Sequence, residues 1–185
     1  MIESSHTPKY LQKHQFQGQS NDCGPYCTAI LLNYMQKTDI RGEQLGELMN
    51  KIAWKGLFPV IQRIKNWATF PWGVCEQFGA HGVKARWRLF TRPEILLSNL
   101  VRNIHTILII GELRPKPWAH YLILSAYDAQ KGWGFINSAL SSPKVDWIPE
   151  AKFERMWRAY GRISISIEPV SPRPDEELPD SDPNH

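Results

Sequence analysis

The spacing of apolar residues changes character partway along the chain. In the first part they recur at helical intervals, and in the second they alternate or run together in short stretches, as strands do. From Pro25 to Gln36, Cys27, Ile30, Leu31, Tyr34 and Met35 share one helical face, which predicts a buried helix. Glu43 to Asn50 reads as a second short helix. Gly56 to Ala68 reads as a third, carrying Leu57, Val60, Ile61, Ile64 and Trp67, and Pro71-Trp72-Gly73 opens a fourth that ends about Gly79. Val83 to Leu89 alternates behind Gly82 and predicts a strand. Thr91 then caps a helix through about Asn103, with Pro93 in its first turn. Thr106 to Glu112, Ala119 to Ala126, Gly132 to Asn137 and Arg162 to Ile167 are strand candidates. Asp128 to Gly132 makes a hairpin connection, and Pro149 to Ala159 a helical insert. Residues 1–14 are polar and irregular and read as a flexible arm. Residues 168–185 hold five prolines and no apolar periodicity, and read as a disordered tail. Helices first and antiparallel strands later give an α+β domain over 15–167, with no internal repeat.

Composition narrows the class. With 185 residues and 42% hydrophobic content, one globular domain is expected. No stretch approaches the ~18–20 apolar residues of a membrane helix. The first residues lack the apolar core of a signal peptide, so a cytoplasmic protein is expected, monomeric by default. Three cysteines, at 23, 27 and 75, are too few and too odd in number for a disulfide framework. The net charge of +4 is unevenly placed: residues 168–185 carry six acids and one base, leaving a basic body joined to an acidic tail. Lys84 to Arg92 interleaves four cations with aromatics, as nucleic-acid grooves can. A strand with a solvated basic face explains it without such a partner, and nucleic acid is not expected.

The chemistry concentrates in Gln17-Gly-Gln-Ser-Asn-Asp-Cys-Gly-Pro-Tyr-Cys27. Asp22, Cys23, Gly24 and Pro25 stand where irregular chain enters an apolar helix, with Asp22 placed to cap it. Cys23 then lies at the helix N-terminus, where the macrodipole favours thiolate, the nucleophilic form. Of the six histidines, His120 alone stands at the mouth of an apolar strand, Trp118-Ala-His-Tyr-Leu-Ile-Leu124. If Tyr127 pairs with Gly132, His120 faces Ala139 and Asn137 faces Leu122, which makes Asn137 a diagonal neighbour of His120 on one face. A slip of one residue would turn Asn137 to the other face. Nucleophile, base and an amide that orients the ring follow the logic of an activated thiol. Cys27, one turn after Cys23, finds no matching second pair of ligands and reads as a buried thiol rather than half of a zinc site. No metal or cofactor is expected.

Gln-x5-Cys-Gly-Pro at a helix start, then His-Tyr-Leu-Ile-Leu, then Asn at the end of the return strand, resembles a papain-like cysteine peptidase. The similarity is closest to the bacteriocin-processing (double-glycine) peptidases and their stand-alone relatives, and it spans roughly residues 15–167. The resemblance implies a papain-like fold in which N-terminal helices carrying the nucleophile pack on a C-terminal antiparallel sheet. It implies Cys23 as nucleophile, His120 as base, Asn137 as its orienting partner and Gln17 as oxyanion donor with the Cys23 amide. Gly24 and Trp118 would line the substrate site, and Gln19 is a rival to Gln17. The sequence departs from these relatives at Asn137-Ser138, where they carry Asp-Pro; papain resembles it there, since it uses Asn. SUMO-specific proteases share the Gln-x5-Cys spacing but place the histidine before the cysteine, the reverse of the order here. The implied activity is cleavage of a peptide or amide bond in a peptide or protein substrate. Transglutaminase-like acyl transfer by the same residues, or a papain-like binding module with little turnover, are the alternatives.

Overall fold

The computed structural model describes residues 1–168; the tail expected from 168 onward lies outside the described residues except for Glu168. The chain runs β1 (Ile2–Glu3), α1 (Thr7–Gln12), α2 (Cys23–Gln36), α3 (Gly42–Met49), β2 (Ala53–Lys55), β3 (Phe58–Val60), β4 (Arg63–Ile64), β5 (Ala68–Thr69) and α4 (Pro71–Ala80). It continues with β6 (Ala85–Arg88), α5 (Pro93–Val101), β7 (His105–Glu112), β8 (Trp118–Asp128), β9 (Gly132–Ile136), β10 (Val145–Ile148), α6 (Glu150–Ala159) and β11 (Ser164–Ile167). The main sheet is antiparallel in the order β10-β9-β8-β7-β11-β6, and β1 pairs with the far end of β8. This is the expected α+β, papain-like arrangement, with the sheet covered on both faces. Among the described residues no helix is long and apolar enough to cross a membrane.

Strand alternation divides the core in two. Ile107, Ile109, Tyr121 and Ile123 face α2, packing with Cys27, Ile30 and Leu31. Leu108, Ile110, Leu122 and Leu124 face the other way, onto Leu96 and Leu100 of α5 and Phe153, Met156 and Trp157 of α6. A strand buried on both faces carries no polar alternation, which is why Tyr121 to Leu124 is uniformly apolar.

Four expectations are corrected. Gly56 to Ala68 is not a helix but two small hairpins, β2–β3 and β4–β5. Its apolar spacing fits a helix, yet Pro59 would remove a helical hydrogen bond at a cost of about 3 kcal/mol. Gly56 (φ +61°) and Asn66 (φ +60°) take the left-handed conformation that turns demand. Secondly, residues 1–14 are not a free arm. Ile2 and Glu3 pair with Tyr127 and Ala126, and Thr7 and Tyr10 of α1 are buried to 1% exposure. Thirdly, neither expected cap acts as one: the Thr91 hydroxyl bonds to Ser164 Oγ (2.7 Å), and the Asp22 carboxylate pairs with Arg63. Fourthly, the β8–β9 hairpin closes with Asp128 opposite Gly132 and Tyr127 opposite Trp133, one residue off the expected pairing.

That slip is undone within the hairpin. Ser125 is an extra residue on β8, a bulge between the Leu124–Phe135 and Ala126–Gly134 pairs. Beyond it Ile123 pairs with Ile136, and one further step sets Asn137 opposite Leu122, as expected. The bulge is held by the N-terminal segment: the Ser125 carbonyl accepts from the Ser4 amide (2.9 Å) and the Thr7 hydroxyl (3.1 Å). Strand β10, absent from the sequence reading, completes the sheet beside β9.

Candidate active site

Cys23 opens α2, and the chain enters there because Pro25 tolerates only the first turn. Around this start the hairpins are tied in. The Tyr121 hydroxyl donates to the Thr69 carbonyl (2.7 Å), and a Cβ on Gly24 would stand 2.9 Å from Thr69. Gly24 is thus a close-packing position against β5, buried and away from open space. The Cys23 thiol lies against the backbone of the histidine strand. Burial raises its pKa from the ordinary value of 9.0, while the amides of Tyr121, Gly24 and Cys23 itself pull it back. Cys27, a turn later, donates to the Tyr121 carbonyl (3.4 Å) and is a buried core thiol.

His120 and Asn137 meet: His120 Nε2 is 2.8 Å from Asn137 Oδ1. The orientation of the carboxamide is fixed twice over. Oδ1 also accepts from the Ala139 amide (2.9 Å), and Nδ2 donates to Asp146 Oδ2 on β10 (2.7 Å). An oxygen acceptor facing Nε2 means that Nε2 carries the proton, which leaves the Nδ1 lone pair free. Burial lowers the His120 pKa from 6.5, against the hydrogen bond of Asn137 and the charge of Asp146, both of which raise it. Burial thus favours the neutral form of both the thiol and the imidazole. Among the described residues no hydrogen bond joins Cys23 to His120; catalytic contacts are often loose without substrate.

Gln17 is locked to the neighbour of Asn137. The Ser138 hydroxyl donates to Gln17 Oε1 (2.6 Å), the Gln17 amide donates to the Ser138 carbonyl (2.9 Å), and Gln17 Nε2 donates one hydrogen to the Ser20 carbonyl (2.8 Å). One Nε2 hydrogen remains. Asn137-Ser138 thus binds both halves of the site, Asn137 to the histidine and Ser138 to the glutamine. His14 Nε2 also contacts the Asn137 carbonyl (3.1 Å). A cavity of about 480 Å³ opens beside the pair, lined among others by Trp118, His120, Asn137, Asp146, Trp147 and Met156. Cys23 does not line it. No cluster of metal-ligating side chains occurs among the described residues.

Sequence reasoning overlooked Asp146 and Ser138 as site residues. Val145-Asp-Trp-Ile148 is only four residues long, and its alternation is too brief to stand out after Pro143. Ser138 looked like a departure from a pattern rather than a contact.

No family model matches the chain, and no curated protein matches it in sequence. Its fold does have solved counterparts. The crystal structure of a Bacillus anthracis protein described as a C39-like peptidase superposes with a TM-score of 0.63 at 14% identity, covering 84% of this chain and 93% of that one. The peptidase domain of Streptococcus ComA, a bi-functional ABC transporter involved in a quorum-sensing pathway, superposes with a TM-score of 0.60 at 17% identity, covering 84% and 96%. At such identity the likeness establishes the shared fold.

Proposed function

We propose that the chain is a cysteine peptidase or related amide hydrolase, with Cys23 as nucleophile, His120 as base, Asn137 as orienting residue and Gln17 as oxyanion donor. The observation that carries this is the His120–Asn137 pair. Its tautomer leaves Nδ1 as a free base, one residue from the Tyr121 amide that the Cys23 thiol touches. The shared fold with C39 peptidase domains supports it. In this mechanism His120 Nδ1 takes the thiol proton as Sγ attacks the scissile carbonyl. The remaining Gln17 Nε2 hydrogen and the Cys23 amide hold the oxyanion, a contribution of about 10²–10³ in rate per donor. The imidazolium then protonates the leaving amine, and water, deprotonated by the same ring, cleaves the acyl-enzyme and regenerates the thiol.

Because burial favours the neutral form of both partners, the thiol is activated as the substrate reacts and not beforehand. The test is covalent capture: a peptide aldehyde or acyloxymethyl ketone should label Cys23 ahead of Cys27 and Cys75, and Cys23→Ala should abolish both labelling and cleavage of a casein-derived peptide mixture. Equal labelling of the three thiols, or cleavage by Cys23→Ala at the wild-type rate, would sink the reading.

A further inference from the structure

We propose that Asp146 is a fourth, positioning member of the site, holding Asn137 from behind and setting a carboxylate one carboxamide away from His120. The inference rests on the reading of His120 as the base. A carboxylate directly on an imidazole both orients the ring and offsets the charge it acquires as a base. Here that position is Asn137, which orients a ring but cannot offset its charge. The structure restores the charge one residue further out: Asp146 Oδ2 accepts from Asn137 Nδ2 (2.7 Å), and Asn137 Oδ1 accepts from His120 Nε2 (2.8 Å).

The geometry divides the labour. The Ala139 amide alone keeps Oδ1 facing the ring, so the tautomer does not depend on Asp146. What Asp146 adds is a second lock and a charge. β10 pairs with β9 so that Asp146 lies opposite Phe135, at the end of the sheet where Asn137 follows Ile136. The other titratable groups around the ring are Glu112 from β7 and Lys152 from α6, which line the same cavity, Cys23 at the head of α2, and His14 on the Asn137 carbonyl. None of them hydrogen-bonds the carboxamide side chain that carries the ring contact. As the thiol proton moves to Nδ1, positive charge develops two hydrogen bonds and one carboxamide away from the Asp146 carboxylate, on the order of 8 Å. At an effective dielectric of 20–80, that separation changes the ring pKa by about half a unit to one and a half units.

The experiment titrates the His120 ring by ¹⁵N NMR in the full chain, without substrate, for wild type, Asp146→Asn and the exchange Asn137→Asp with Asp146→Asn. Asp146→Asn should lower the His120 pKa by about half a unit to one and a half units while Nε2 keeps its proton. The exchange puts the carboxylate on the ring and should return the pKa to the wild-type value or above it. In turnover, Asp146→Asn should lower kcat roughly 3–30-fold with KM unchanged and move the acid limb downward by the same shift. An unchanged ring pKa in Asp146→Asn, or an exchange that fails to restore it, overturns the proposal. Asp146 is half-buried on an edge strand, and the circular dichroism of both variants reports folding separately. The ring titration needs no catalysis. Failure of the peptidase reading would appear instead as indiscriminate thiol labelling with the titration intact.

Discussion

Replacing Thr7 by Val tests whether the N-terminal segment is tied to the bulge of the β8–β9 hairpin. Thr7 is 1% exposed and Ser125 is fully buried. The Thr7 hydroxyl lies 2.9 Å from Ser125 Oγ and donates to the Ser125 carbonyl at 3.1 Å. Valine keeps the shape and deletes the oxygen, which strands the Ser125 hydroxyl without a partner. An unsatisfied buried hydroxyl costs about 1–3 kcal/mol, far more than the net value of the bond itself. For a domain of this size that corresponds to a melting temperature lower by roughly 2–12 °C. Urea unfolding should show the loss as a lower midpoint at unchanged slope. Ser125→Ala in the Thr7→Val background removes the stranded group, so the double variant should recover part of the loss, with a coupling of about 0.5–3 kcal/mol. A cost below about 0.5 kcal/mol for Thr7→Val, or strictly additive costs, would refute the argument. The free-arm description of residues 1–14 would then be the better one.

Two further outcomes follow from titration. Burial holds His120 below 6.5 and Cys23 above 9.0, so the base is competent and the thiol un-ionised across the interval between them. kcat/KM should therefore be flat over that interval and fall only below pH 6.5; an acid limb centred above 6.5 would contradict a neutral resting pair. The second concerns stability. Burial, with His6 nearby, lowers the His105 pKa from 6.5 to about 4, and its Nδ1 shares a hydrogen bond with the Tyr10 hydroxyl (2.5 Å). Between pH 6.5 and 4 the unfolded chain binds the proton that the folded chain refuses. Stability should thus decline as pH falls through that window, by on the order of 3 kcal/mol, and level off below it. Denaturant titrations at pH 7, 5.5 and 4 would measure this, and a loss of the same size in His105→Gln would assign it elsewhere.

The long helix after Cys23 and the apolar strand after His120 were legible from local pattern. Periodicity over ten or so residues reports which face is buried, and a proline, glycine or cysteine at an element's start is a local matter of backbone geometry. The segment 56–68 exceeded that method: hairpin and helix compete for the same apolar spacing, and Gly56, Pro59 and Asn66 decided it through turn conformation.

The position of Asn137 shows the limit more sharply. Paired as the hairpin actually closes, β9 would carry Asn137 opposite Ile123, on the α2 face and away from His120. The extra residue at Ser125 turns it back, and its carbonyl is taken by Ser4 and Thr7, more than a hundred positions away in sequence. The expected neighbourhood of His120 and Asn137 was therefore reached from a different register than the one assumed. Local pattern specifies which side chains are present and which faces they favour. Their partners come from the folded arrangement: Asp146 behind Asn137, Ser138 on Gln17, Arg63 on Asp22. The reason is physical, since hydrogen-bond partners and strand register depend on contacts between segments far apart in the chain, whereas periodicity records only the nearest turns.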